Sequence, residues 1–266
     1  TISDINKDIS VFEMNENSMD LNFFGKILNF FHRLVRLRAH LKKTQPDVAI
    51  SFLTEANTIL LSASIGTNAN IIISERTHPK HHKISTFYRV LRSILYRNAT
   101  NLVVQTDDIL RECKRFAKAN QISVIPNFLR EESFFSSEKQ LNRNPKKVIG
   151  YVGRLSKEKR LGDLIRSFSI VLIKFPMWKL HLIGDGPEEH YLKELAKELG
   201  IIESIRFKPA QKNVNELFFE MSIFVLPSQY EGFSNVLLEA MASQVSVISS
   251  IEGGSYLIED GKDGLM

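Results

Sequence analysis

The chain has 266 residues, more than one average domain, and its 43% hydrophobic and 24% charged residues give it the composition of a globular protein with a sizeable core. Its single cysteine, Cys113, excludes an internal disulfide and fits a reducing compartment. No run reaches the ~18 apolar residues of a spanning helix, and "TISDINKDIS" at the start has no apolar signal core, so a cytoplasmic location is expected. The net charge of +5 directs attention to anionic partners.

In chain order, the first feature is a charge asymmetry. No acid lies between Leu21 and Pro46, whereas Lys26, Arg33, Arg36, Arg38, Lys42 and Lys43 all do; Ile27, Phe30, Phe31, Leu34, Leu37 and Leu41 recur at three- and four-residue intervals. This spacing predicts a basic amphipathic helix. A second is predicted over 83–98, with Ile84, Phe87, Tyr88, Leu91, Ile94 and Leu95 on one face and Arg89, Arg92 and Arg97 around it. Two readings stand: the apolar faces pack on a sheet and the cations are solvated, or the helices lie on an anionic membrane surface. No nucleic-acid reading motif accompanies the charge, so no nucleic-acid partner is expected.

Short β-branched runs follow: "DVAISFL" (47–53), "NIIIS" (70–74), "NLVVQT" (101–106), "ISVIPN" (122–127), "KVIGYVG" (147–153), "KLHLIG" (179–184), "SIRF" (204–207), "SIFVLPS" (222–228) and "SVISS" (246–250). Helical patterns such as 162–175 and 187–200 separate them. Strands alternating with helices predict parallel sheets in an α/β fold. The alternation breaks in a polar, aperiodic stretch, which predicts an N-terminal domain over 1–128, a linker over 129–146 and a C-terminal domain over 147–266. Two Rossmann-like domains facing a cleft are expected, with ligands at the carboxyl ends of the strands.

Three loops at such ends carry polar chemistry. "GRLSKEKR" concentrates Gly153, Arg154, Lys159 and Arg160, cations suited to a phosphate or diphosphate, although surface loops are often basic without function. "GDGPEE" holds Gly184 and Gly186 ahead of Pro187, Glu188 and Glu189, which helix initiation largely explains; the full G-x-G-x-x-G fingerprint is absent. In "SQYEGFSNVLLEAMA", Gly232, Phe233 and Ser234 can present backbone donors at a helix start, Glu231 can accept from sugar hydroxyls, and Glu239 can reach a ribose diol. Spacing alone settles nothing; the conjunction of the three loops carries the argument.

"GRLSKEKR", "LIGDGPE", "SQYEGFSNVLLEAMA" and "IEDGKDGLM", in this order, resemble the carboxyl-terminal domain of glycosyltransferase family 4, retaining enzymes of the two-domain GT-B fold. "DVAISFLTEAN", "IIISERTHP" and "VVQTDDILRE…VIPN" resemble its branch of amylovoran-type galactosyltransferases and N-glycan-pathway GalNAc transferases. The resemblance implies that Arg154 and Lys159 grip the diphosphate of a nucleotide sugar, read here as a UDP-sugar, that Glu231 contacts the sugar and that Glu239 holds the ribose. Gly153, Gly184, Gly186, Gly232, Phe233, Ser234 and Asn235 complete the donor site. It implies front-face attack; the expected reaction is transfer of a hexose or N-acetylhexosamine to a lipid-linked or oligosaccharide acceptor, and the two basic amphipathic helices lead us to expect a peripheral position on the inner face of the cytoplasmic membrane. No cofactor or metal is expected: the chain has no D-x-D pair, and its histidines and cysteine show no ligand spacing. A role for Glu231 as a covalent nucleophile is the less favoured route.

The pattern also departs from the family. A first strand with its glycine loop and the terminal helices are missing from the match, so the chain is expected to be incomplete at both ends. Pro209 in "FKPAQ" stands where relatives carry glycine. Arg76 occupies the place of an acceptor-side histidine; His78, His81 or His82 could substitute, although a solvated histidine cluster is the expected state. The alternatives are a nucleotide-sugar epimerase on the same fold and a non-catalytic sugar-nucleotide-binding or membrane-docking partner.

Overall fold

The computed structural model of the protein describes residues 23–82, 84–129, 146–211 and 215–266. They form two compact units. The first is built on α1 (Phe23–Thr44), β1 (Val48–Phe52), α2 (Thr54–Ala63), β2 (Asn70–Ser74), α3 (Thr86–Leu95), β3 (Asn101–Val104) and β4 (Ile122–Val124). The second holds β5 (Val148–Val152), α5 (Leu161–Lys174), β6 (Lys179–Ile183), α6 (Glu189–Glu198), β7 (Ile205–Lys208) and α7 (Asn215–Glu220), followed by β8 (Ile223–Leu226), α8 (Asn235–Ala242), β9 (Ser246–Ser249) and α9 (Ile251–Gly254). The segments Thr77–His82 and Gln105–Ile109, and the chain from Ile125 onward, also belong to this second unit, and α4 (Asp107–Cys113) is divided between the two. The linker expected over 129–146 lies outside the described residues except at its two ends.

In the first unit the sheet is parallel throughout, in the order β1-β2-β3-β4. Here the predicted helix packing needs correction. Instead of lying directly on the sheet, α1 and α3 pack on α2, with Phe30, Ile59 and Tyr88 meeting in one cluster. Phe31 and Ile94, assigned to the buried faces, are exposed. Two cations expected in solvent are structural. Arg38 donates to the carbonyls of Ala63 and Ile65, at 2.8 and 2.6 Å, neutralising the orphan acceptors at the end of α2. Arg92 is buried, its guanidinium 4.6 Å from the Phe116 ring centroid. Among the described residues, no helix is long and apolar enough to cross a membrane.

The second sheet is also parallel, in the order β7-β6-β5-β8-β9. Central β5 is buried along its whole length, which is why it reads as an uninterrupted apolar run. Helices pack around Tyr151, Phe168, Phe218 and Phe224, each of whose burial contributes about 1.5–3 kcal/mol. Gly150 admits the Met221 side chain, because a Cβ there would stand 2.1 Å from its sulfur. From β5 the chain adds β6 and β7 on one side, then crosses back to place β8 and β9 on the other. The strand order therefore reverses at β5, between the loops that follow β5 and β8.

Candidate functional site

The loop after β5 is fixed before any ligand arrives. Gly153 N–H donates to the Ile183 carbonyl, Leu155 N–H to that of Asp185, and Glu188 N–H to that of Leu155. Gly184 makes this close seam possible: at φ 139° its Cβ, if present, would lie 2.0 Å from the Gly153 carbonyl oxygen. A Cβ on Gly186 would likewise lie 2.2 Å from the Leu155 oxygen. The pair thus reads as a packing device that holds the Arg154 loop in place, beyond its part in starting α6. Tyr151, on β5, donates its hydroxyl to the Arg154 carbonyl at 3.0 Å. Burial, with the nearby charges of Glu231 and Glu158, pushes that phenol well above its ordinary range and keeps it a donor.

At the reversal point the two loops are joined. Gln229 N–H donates to the Glu158 carbonyl at 2.8 Å, and Lys159 Nζ reaches Glu231 Oε1 at 2.6 Å across 72 residues of sequence. The Lys159 and Glu231 side chains are 20% and 13% exposed. Buried Ser228 donates to the same Oε1 at 2.6 Å. One carboxylate oxygen is thus doubly satisfied, while Oε2 accepts from none of the described residues. Arg154 is exposed, and its charge helps hold the Glu158 carboxyl below its usual range: burial of Glu158 acts upward, but its bond from Ser156, a backbone bond, Lys159 and Arg154 prevail. Arg160, in the left-handed region at φ 51°, turns instead to Asp163 at 2.8 Å.

At the start of α8 the expected row of free amides is shorter than predicted. Ser234 caps the helix through its hydroxyl, which accepts from Leu237 N–H, and its own N–H donates to the Tyr256 hydroxyl. Gly232 and Phe233 N–H donate to none of the described residues. Asn235 Oδ1 accepts from Asn127 Nδ2 at 2.5 Å, and Asn127 in turn accepts from Gln105 at 2.6 Å. Glu239 is half-buried, with no hydrogen bond to its carboxyl among the described residues, and burial alone raises its pKa.

The histidines are not a solvated cluster. His78 is 6% exposed; its Nδ1 accepts from Lys80 N–H at 3.3 Å, which leaves Nε2–H to donate to Asp108 at 2.9 Å. His81 lies between His78 and Tyr230, stacked on the latter at 4.7 Å and 6°. Arg76 belongs to the first unit, where it lies 5.0 Å over the Phe52 ring. Among the described residues, no group of three His, Cys, Asp or Glu side chains could hold a metal ion.

Sequence reasoning missed Ser228, Tyr151 and Tyr256. The S-x-x-E spacing of Ser228 and Glu231 was a usable local signal, whereas Tyr256, 22 residues beyond its partner Ser234, offered none.

Known proteins with similar sequence and fold identify the family. A curated relative in Campylobacter jejuni, a GalNAc-alpha-(1->4)-GalNAc-alpha-(1->3)-diNAcBac-PP-undecaprenol alpha-1,4-N-acetyl-D-galactosaminyltransferase, is 29% identical over 98% of this chain and 72% of its own length. An uncharacterized glycosyltransferase of Haemophilus influenzae is 28% identical over the same shares. The crystal structure of Anabaena HepE in complex with UDP and glucose superposes with a TM-score of 0.76 over 92% of this chain and 70% of that one, at 21% identity, a likeness of fold. The family described as glycosyl transferases group 1 matches residues 132–266, just over half the chain. The chain therefore belongs to the glycosyl transferases group 1 family and is a glycosyltransferase.

Proposed function

We propose that the protein is a retaining transferase that moves a hexose or N-acetylhexosamine from a UDP-sugar to a lipid-linked glycan in surface polysaccharide biosynthesis. The observation that carries this reading is the Lys159–Glu231–Ser228 cluster at the strand-order reversal, with exposed Arg154 on the same loop as Lys159. An ion pair this desolvated gains little stability, and separating it leaves a charge uncompensated, so its placement argues for chemistry. As the anomeric bond breaks, negative charge grows on the departing diphosphate. Arg154 and Lys159 stabilise that charge, and the Gly232 and Phe233 amides add donors at the helix start. Glu231, held by Lys159 and Ser228 through Oε1, offers Oε2 to a sugar hydroxyl. Glu239 offers its unpartnered carboxyl to the ribose. No resident cofactor enters this scheme.

The acceptor assignment draws on the Campylobacter jejuni relative, whose name specifies an undecaprenol-linked glycan, and the donor on the UDP held by HepE. A peripheral position on the inner face of the cytoplasmic membrane fits α1, where exposed Leu28, Phe31 and Val35 share one face above Lys42 and Lys43. Labelled sugar transfer from UDP-hexoses, UDP-N-acetylhexosamines and GDP-sugars to a polyprenyl-diphosphate oligosaccharide tests the reading. Transfer from at least one UDP-sugar is expected; transfer from GDP-sugars alone overturns the donor assignment. Co-sedimentation with anionic but not neutral vesicles, weakened in a Leu28→Ser/Phe31→Ser double variant, is the expected membrane result.

A further inference from the structure

A second concentration of charge lies toward the opposite ends of the strands in the second unit. A groove of about 670 Å³ begins at Lys146 and Lys147, ahead of β5, passes Lys179 at the start of β6, and follows edge strand β7. Alternation along β6 sends Leu180 and Leu182 into the core and His181 to the other face, where its register partner is Arg206 and Lys208 lies two residues on. His181 lines the groove, yet is only 7% exposed. No hydrogen bond reaches its ring from the described residues.

The acids do not balance this charge. Glu220 is taken by Lys146 at 2.8 Å, and Lys179 is held by the Glu203 carbonyl at 3.1 Å. Arg206 and Lys208 have no acid in contact among the described residues. Lysine and arginine on an edge strand also guard against strand-to-strand association, which accounts for exposed Arg206. It does not account for a nearly buried imidazole with no partner on the floor of the same groove.

We propose that this groove binds a phosphate-bearing anion, with Arg206 and Lys208 on its oxygens and the His181 imidazole donating from beneath. The site is separate from the Lys159–Glu231 cluster and does not rest on the donor reading. Burial, with Lys208, Arg206 and Lys146 opposing Glu220, holds the His181 pKa down to about 4, so near neutrality the ring is uncharged and donates through one N–H. A bound anion adds the opposite charge and raises that pKa. By linkage, protonation of the ring strengthens the binding of an anion of fixed charge.

The test is a titration of the full chain with inorganic pyrophosphate at constant ionic strength, read at the His181 imidazole by ¹H–¹⁵N NMR. A saturable shift is expected, together with a rise of the His181 pKa from about 4 when pyrophosphate is bound. Arg206→Ala/Lys208→Ala should weaken it about tenfold, the single Lys208→Gln variant less, and Arg154→Ala not at all. A parallel arm with phosphatidylglycerol and phosphatidylcholine vesicles identifies the source: broadening of this resonance by the anionic vesicles alone assigns a lipid headgroup, and a response to pyrophosphate alone assigns a free phosphate. Absence of response in both arms, or an equal shift with sodium chloride as an adventitious ion only, overturns the proposal.

Discussion

Glu75 and Glu231 each follow the carboxyl end of a parallel strand, β2 in the first unit and β8 in the second, and their surroundings drive them to opposite uses. Glu75 is fully buried; its Oε1 accepts from Thr54 at 2.8 Å and from the Tyr96 hydroxyl, and Arg92 acts on it only at longer range. Desolvation outweighs those contacts and raises its pKa. Glu231 keeps 13% of its side chain exposed and has a lysine in contact. The same residue type at the same kind of topological position becomes a sealed internal acceptor in one place and an open, charge-compensated acceptor in the other. Neighbours decide which: polar hydroxyls under a helix layer for Glu75, a cation and a solvent-facing loop for Glu231.

The comparison can be broken most decisively at Glu231. Glu231→Gln keeps the shape and removes the charge, and is expected to lower kcat about 100-fold or more. A steady-state assay showing wild-type turnover would make the two glutamates equivalent. Lys159→Met should lower kcat/KM about 10- to 100-fold, since the loss of one charged hydrogen bond leaves Glu231 uncompensated. The smallest expected effect is at Glu75. Folded Glu75 holds its proton to higher pH than the unfolded carboxyl near 4.5, so the wild type loses stability as pH rises from 4.5 through the folded value. Glu75→Gln retains the acceptor for Thr54 and Tyr96, so denaturation curves should lose that slope while turnover stays within about twofold. An unchanged slope would mean that burial does not raise the Glu75 pKa in the folded protein.

Much of the fold was legible because buried parallel strands leave continuous apolar runs: "NIIIS" is β2 without adjustment, and "KLHLIG" overruns β6 by one glycine. Reading α1 and α3 from periodicity gave their existence but not their neighbours, since an apolar face does not say whether a sheet or another helix covers it. Arg38 and Arg92 were misread for the same reason; a carbonyl row 25 residues away and a ring 24 residues away have no local trace. In the site, the residue types were readable from their loops, but the Lys159–Glu231 contact depends on β5 and β8 being neighbours. His78 was misjudged because Asp108, which fixes its ring, follows the next strand rather than the same loop.

The most direct measurement is calorimetric titration of UDP into the full chain and its Arg154→Ala, Lys159→Ala and Glu75→Gln variants. The account predicts that the first two bind at least about tenfold more weakly, a loss of about 1.4 kcal/mol each, and that Glu75→Gln binds as the wild type does. Equal UDP affinity in the wild type and both cation variants would contradict it.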